Sequence, residues 1–255
     1  MLASERHQKI LALLDSQGTV RTMDLAEHFD VTDETIRRDL QVLSDNHLVS
    51  RVHGGASSLS GIRRLQSFAE RTNIHVEQKK AIAQVALEWI LPNQTYAFDS
   101  STTAFEMVRV LPDMEYRVVT NAFAVIDHLA RFDEVEVIST GGRFHRKTNT
   151  FNGQESIATL RRHNINTAFI SCIGLDVKRG VSEGFEEQAG FKEILVKMAE
   201  QVVLLIDSSK LNKRSEYFFA ELRNISAIIT DSDIKPDLVK QIQEFGCNVR
   251  IAASL

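Results

Sequence analysis

Cysteine is almost missing from this 255-residue sequence. Cys172 and Cys247 alone cannot make a disulfide framework or a four-ligand zinc site. Eight histidines show no metal-ligand spacing, so no metal is expected. Three prolines and twelve glycines argue against extensive disorder. No apolar run approaches the roughly 18–20 residues of a membrane span. The opening Met1–His7 stretch is polar and runs straight into a helical pattern, unlike a secretory signal. A GxGxxG fingerprint and a P-loop are both absent, so no nucleotide or other cofactor is expected. These absences fit a cytoplasmic protein without a membrane partner. Positive charge is also short. Lys and Arg number 30 against 34 Asp and Glu, a net charge of −4. Residues 1–56 hold 6 basic and 9 acidic residues, or −3. A protein that coats nucleic acid by bulk charge is therefore excluded.

What is present begins with a compact pattern in residues 5–55. Ile10, Leu11, Leu13 and Leu14 mark a helix with one apolar face, ended near Gly18. A short strand at Thr19–Arg21 leads to Thr22, an expected N-cap, and a helix with Leu25, Ala26 and Phe29. Thr32 or Asp33 caps a third helix running to about Asn46. Val49–Val52 alternates like a strand before a His53-Gly54-Gly55 turn. This order is that of a winged helix-turn-helix. On a helical wheel, Ile36, Leu40 and Leu43 form the inward stripe of the third helix. Glu34, Arg38 and Gln41 lie opposite, flanked by Thr35 and Arg37. Arg pairs with guanine, Gln with adenine, and Glu accepts from cytosine, so this face can read base edges. Thr32 joins them at the helix start, and Arg51 and His53 in the wing can reach the backbone or minor groove. An Arg-Arg pair on a surface helix is common; the order of elements is what favours DNA.

Residues 57–75 read as a linker containing some helix, whose Arg63, Arg64 and Arg71 can add phosphate contacts. From Val76 to the end, helical stretches alternate with short apolar runs at 96–98, 118–119, 135–138, 168–170, 202–206, 227–229 and 249–251. That alternation predicts an open, largely parallel α/β sheet. The expected divisions are a DNA-binding domain at 1–56, the linker at 57–75 and an effector-sensing domain at 76–255.

Ligands of such sheets bind beyond the carboxyl ends of the strands. Four loops there look suited to a small anionic, hydroxyl-rich ligand: Asp99-Ser100-Ser101-Thr102-Thr103, Thr120-Asn121, Gly141-Gly142 and Asp207-Ser208-Ser209-Lys210. Hydroxyls and backbone N–H groups suit a phosphate in the first loop, and Lys210 adds a cation. Taken alone, the first loop is better explained by ordinary N-capping. Glu183, Glu186 and Glu187 precede a helix bearing Lys192 and can bond sugar hydroxyls, as a plain acidic loop also would look. Phe144, His145, Phe151 and Glu186 are placed to shape the choice of ligand. Cys172, in an apolar strand, reads as a buried inert thiol.

Taken together, these residues resemble the DeoR family of bacterial sugar-metabolism regulators over nearly the whole chain. Thr35-Ile36-Arg37-Arg38-Asp39-Leu40 is the most specific part, with Arg6–Ile10 and Val52–Ala56 beside it. The four loops and Gly174-Leu175-Asp176 match family motifs in order, with Ser100 where many members have Gly. The resemblance implies a sensor domain similar to sugar-phosphate isomerases and adds Asp176 and Glu186, or Glu187 in its place, to the expected ligand residues. It also implies a homodimeric or homotetrameric repressor of a carbohydrate-utilisation operon, released from operator DNA by a phosphorylated sugar. An enzyme reading, with Asp99, Glu186 or Asp207 as the base of an isomerase, and an activator reading use the same residues. The expectation is a regulator, not an enzyme.

Overall fold

The computed structural model describes residues 3–17, 19–46, 48–52, 54–58 and 67–253. His53, Arg63 and Arg64 lie outside the described residues. The chain divides into two compact units, Met1–Leu65 and Gln66–Leu255.

The first unit runs α1 (Ala3–Gln17), β1 (Thr19–Arg21), α2 (Thr22–Phe29), α3 (Asp33–Asp45), β2 (Val49–Val52) and β3 (Gly55–Ser58). The strands form an antiparallel sheet in the order β1-β3-β2. A side chain at Gly55 would collide with the Val20 carbonyl, so only glycine lets these strands close up. Ile10, Leu14, Leu25, Phe29, Ile36, Leu40 and Leu43 fill one core. Asp30 closes α2 in the left-handed region at φ 51°, a conformation Asp tolerates, and so makes the tight turn into α3. Thr32 caps α3, its Oγ1 accepting from Thr35 N at 3.3 Å. Thr22 does not cap α2; it is the first helical residue, and its N–H donates to the Gly54 carbonyl of the wing turn at 2.9 Å.

In the larger unit come α4 (Phe68–Thr72), α5 (Val76–Ala86), β4 (Thr95–Phe98), α6 (Thr102–Val108), β5 (Tyr116–Thr120), α7 (Phe123–Leu129) and β6 (Val135–Ser139). There follow β7 (Arg143–His145), β8 (Thr150–Asn152), α8 (Gln154–Leu160), β9 (Ile165–Ile170), β10 (Gly174–Asp176) and β11 (Gly180–Glu183). The unit ends with α9 (Glu186–Met198), β12 (Ala199–Leu205), β13 (Tyr217–Ala220), β14 (Ala227–Asp231), α10 (Pro236–Gln243) and β15 (Asn248–Ala252). Seven strands make a parallel sheet in the order β15-β14-β12-β9-β4-β5-β6. The expected architecture of a winged helix-turn-helix followed by a larger open α/β domain is the one observed. Alternate residues of each strand feed opposite faces. Tyr96, Phe98, Phe169, Val203 and Ile229 pack with Ile82, Met107 and Leu129 from α5, α6 and α7. Ala97, Ala168, Ile170, Leu204 and Ile228 pack with Leu195 and Ile242 from α9 and α10.

Two small antiparallel pieces were not foreseen: the β7–β8 hairpin and the sheet β10-β11-β13. Their strands are only three or four residues long. The segment read as a linker also carries structure. Ser67 and Glu70 form a capping box for α4, and Phe68 meets Phe105 of α6 edge-on at 5.5 Å between ring centroids. Buried Lys79 donates to the Arg71 and Thr72 carbonyls, both at 2.9 Å, pinning the end of α4 onto α5.

Candidate functional site

On α3, the inward stripe is deeper than a hydrophobic one. Asp39 is buried beside Ile36, Leu40 and Leu43. Its carboxylate accepts from Arg6 Nε at 2.5 Å and from His7 Nε2 at 2.9 Å, both on α1. Burial pushes the Asp39 carboxyl up, but the bonds from Arg6 and His7 outweigh it and hold the group below its ordinary range. One of the acidic charges counted against DNA is thus turned inward and neutralised. Opposite lies an exposed face. Glu34 and Arg38 form an i,i+4 pair at 3.4 Å, Arg37 is free of the core, and Gln41 donates to Asp45 at 2.8 Å. Thr35 is half-buried at the cap with Thr32, and Arg51 is exposed on β2.

The second constellation sits where the strand order reverses. From β4 the chain proceeds outward through β5 to β6, then returns to the other side of β4 as β9 and continues to β12. The crevice beyond β4 and β9 is the switch point at which open α/β sheets bind ligands. Asp99 follows β4 there, and Ser171 follows β9. Asp99 Oδ1 accepts from Ser101 N and Oδ2 from Ser171 N, each at 2.9 Å. Lys192, rising from α9, lies 3.0 Å from Asp99 Oδ2, donates to the Ser171 carbonyl at 2.8 Å and pairs closely with Glu183. All three ionised side chains are buried. Burial disfavours the Lys192 ammonium, but the two carboxylates more than offset this and raise its pKa.

Around this cluster lie two further cations. Lys210 follows β12, 3.2 Å from Asp207 Oδ2 and 3.5 Å from Ser171 Oγ. Burial raises the Asp207 carboxyl, and Lys210 and Ser209 overcome that to lower it. Arg71 reaches in from α4; its Nε is buried without a hydrogen-bond partner among the described residues. Burial lowers the Arg71 pKa against the opposing fields of Glu183 and Asp99. Arg71 was read as a linker residue for DNA phosphates, and the structure instead sets it within the field of this cluster. Thr103 Oγ1, Asn121 Oδ1, Asn152 Oδ1 and Gln188 Nε2 are likewise buried and unpartnered. Such atoms are uncommon in folded proteins, and several at one sheet edge fit a polar ligand.

The other expected ligand residues divide. Ser100, Thr102 and Thr103 are buried beside Asp99. Ser101 caps α6, its Oγ accepting from Ala104 N at 3.1 Å. Thr120 donates to the Phe98 carbonyl at 2.7 Å and accepts from Ala122 N, an internal role that ties β5 to β4. Gly141 and Gly142 both have positive φ, and a Cβ on Gly142 would stand 2.5 Å from the Asn152 carbonyl. Asp176 is engaged elsewhere, with Arg214 at 2.6 Å and the N–H groups of its own turn. Glu186 and Glu187 are exposed in the first turn of α9, where negative charge suits the helix dipole. Glu183, at the end of β11, is the acid that enters the cluster. Its signal in the sequence was faint: a Glu nine residues before a Lys, across a strand-to-helix corner. Cys172 is buried, which pushes its thiol up to about 12 and leaves it unreactive. A cavity lined by Trp89, Gln94, Tyr96, Asn166 and Glu200 lies at the opposite, amino ends of the strands, and Glu200 there is held by Asn164 and Asn166. Among the described residues no group of His, Cys, Asp and Glu is placed to hold a metal, and no helix is long and apolar enough to cross a membrane.

A winged helix-turn-helix joined to an α/β unit with a polar switch-point site defines a class: a DNA-binding regulator carrying its own sensor. The chain belongs to the DeoR family. Residues 6–61 match the DeoR-like helix-turn-helix domain and residues 74–232 the DeoR C-terminal sensor domain. It is 38% identical over 244 residues to the HTH-type transcriptional regulator YulB of Bacillus subtilis (strain 168), covering 96% of this chain and 95% of that one. It is 35% identical to the L-fucose operon activator of Haemophilus influenzae, covering 94% and 96%. The putative aga operon transcriptional repressor of Escherichia coli O157:H7 is 29% identical, covering 96% and 93%.

Proposed function

We propose that this regulator represses a carbohydrate-utilisation operon and is released from its operator by a phosphorylated sugar bound at the β4–β9 switch point. The observation that carries the reading is the buried polar edge there, where cations from two elements flank side chains with unused hydrogen-bonding atoms. Arg71 and Lys210 supply positive charge for the phosphate, and Asn121 and Thr103 supply groups for hydroxyls. A ligand that binds one conformer better shifts the population toward it and so changes DNA affinity. The protein acts in the cytoplasm as a homodimer or homotetramer whose paired first units meet paired half-sites.

Binding is favoured over turnover because two of the nominated bases, Asp99 and Asp207, are already engaged, as is Glu183 beside them, while the third, Glu186, is exposed on the first turn of α9. Asp99 serves two backbone N–H groups and Lys192, Glu183 serves Lys192 and Gly184 N, and Asp207 serves Lys210 and Ser209. Turnover of any aldose or ketose phosphate by the purified protein would reverse this reading. The name of the Haemophilus relative supports an activator as the alternative output of the same parts.

Two substitutions separate the halves. Arg38→Ala, on the exposed face of α3, should weaken binding to operator DNA by about 1–3 kcal/mol, as loss of a base or phosphate contact does. Thr32, Glu34, Thr35, Arg37, Gln41 and Arg51 complete the proposed DNA surface. Gel-shift titration against a DNA selected by the wild-type protein measures the effect, and unchanged affinity would remove Arg38 from it. Lys210→Ala should leave that DNA affinity intact and abolish release by sugar phosphate. Normal release would show that Lys210 does not hold the effector.

A further inference from the structure

The β7–β8 hairpin threads a hydrogen-bond relay toward the sheet-edge site. Asn152, the last residue of β8, is buried, and its Nδ2 donates to Thr150 Oγ1 at 3.1 Å. Thr150 Oγ1 lies 2.7 Å from Thr148 Oγ1, which lies 2.8 Å from His145 Nδ1. Both threonines are buried. A hydroxyl carries one proton. With Asn152 donating into Thr150, the Thr150 proton goes to Thr148, and the Thr148 proton goes to the His145 ring or to its carbonyl at 3.3 Å. Thr148 N also donates to His145 Nδ1 at 3.4 Å, which marks that nitrogen as an acceptor and runs the relay from Asn152 toward His145, with the amide nitrogen of Asn152 facing Thr150 and its carbonyl oxygen left over.

That oxygen has no partner. Neither does Asn121 Oδ1, on the neighbouring loop. The two residues are joined through the backbone: Phe151 N donates to the Asn121 carbonyl at 2.8 Å, and Ala122 bridges Thr150. The Asn152 backbone carbonyl also abuts Gly142. Asn152 thus borders the loops after β5 and β6, whereas Lys210 follows β12, three strand spacings from β5, or roughly 14 Å of sheet edge. Two carbonyl oxygens repel a phosphate, which accepts hydrogen bonds at every oxygen. They are complementary to O–H donors.

We propose that Asn152, positioned by Thr150 and Thr148 and paired with Asn121, reads hydroxyl groups of the effector at the end of the site away from the phosphate cations. The ligand class is a polyhydroxylated monophosphate whose hydroxyls extend beyond the phosphate-bearing carbon. Small charged acids with a phosphate but no such hydroxyls are discriminated against at this end. The inference rests on the switch-point reading of effector binding.

The test measures affinities of ribose 5-phosphate, glucose 6-phosphate, fructose 6-phosphate and inorganic phosphate for the wild type, Asn152→Leu, Thr150→Val and Thr150→Ser by calorimetry. For the sugar phosphate that the wild type binds best, Asn152→Leu should lose about tenfold or more, the worth of one hydrogen bond and its stranded partner. Thr150→Val should lose less, Thr150→Ser should recover, and inorganic phosphate should bind all four alike. Undiminished sugar binding by Asn152→Leu, or by Thr150→Val should the leucine variant not fold, overturns the inference while leaving the site itself standing. Equal loss of sugar phosphate and inorganic phosphate overturns it too, since that is collapse of the whole site. A wild type that binds none of the sugar phosphates overturns the effector-site reading and this inference with it.

Discussion

Lys192→Met should lower the melting temperature of the sensor unit by about 10 °C. The substitution keeps the length of the side chain and removes its charge, stranding Asp99 and Glu183 together in the interior. Breaking a buried ion pair from one side costs about 3–5 kcal/mol, and each kcal/mol is worth roughly 2–4 °C in a unit of this size. The pH dependence gives the cause a signature. In the wild type the Lys192 pKa is raised, so its contribution is complete below the ordinary lysine value and is lost only as the solution becomes strongly alkaline. The variant lacks that alkaline step, so its deficit against the wild type should hold through neutral pH and narrow as the solution becomes strongly alkaline. Calorimetric scans from neutral to alkaline pH measure this. Equal melting temperatures for variant and wild type at pH 7.5 would mean that the three groups are not coupled as described.

Asp39→Ala should disable DNA binding without touching the exposed face of α3. The carboxylate clamps α1 to α3, and its removal takes away the bonds it accepts from Arg6 and His7 across the two helices. Breaking such a pair costs about 2–3 kcal/mol here, nearer the worth of charged hydrogen bonds than of a deep ion pair, because a unit of 65 residues keeps water close. That is a large share of the stability of so small a unit. The sign with pH is opposite to that of the lysine variant. Asp39 is held below its ordinary value of 3.8, so the wild-type clamp is complete above that value and fails as pH falls beneath it. The expected outcome is loss of operator binding together with reduced thermal stability of the first unit, against Arg38→Ala, which should lose binding alone. An Asp39→Ala protein with wild-type stability would show that the clamp contributes nothing.

The contrast between these residues shows what sequence patterns carry. All seven strands of the large sheet were legible because buried parallel strands are short apolar runs between helices, and that signal is local. Ile36, Leu40 and Leu43 were legible from helical spacing. Asp39 sits on the same stripe, yet an acid there reads as surface until Arg6, 33 residues earlier, is brought against it. Glu183 was one of three acids that could not be told apart, Arg71 was assigned to DNA phosphates and Asn152 went unread, all for a related reason. Each owes its place to packing between elements distant in sequence: the β11–α9 corner, α4 against α6, and the hairpin against the β5 loop. Glu186 looked as apt as Glu183 in one dimension, and the helix starting at Glu186 turns it outward. Lys210 and Asp99 were visible because strand-end loops announce themselves, whereas which partners they keep is decided by the strand order, which no local pattern encodes.

The central claim is that occupancy of the switch-point site controls the grip of the first unit on DNA. Its most direct test is fluorescence anisotropy of a labelled operator bound by the full-length protein, titrated with sugar phosphates, for the wild type and Lys210→Ala in parallel. The account predicts that a sugar phosphate which stabilises the wild type thermally also releases it from DNA over the same concentration range, while Lys210→Ala binds the operator normally and stays bound. Release of both proteins alike, or thermal stabilisation with no change in DNA affinity, would contradict it.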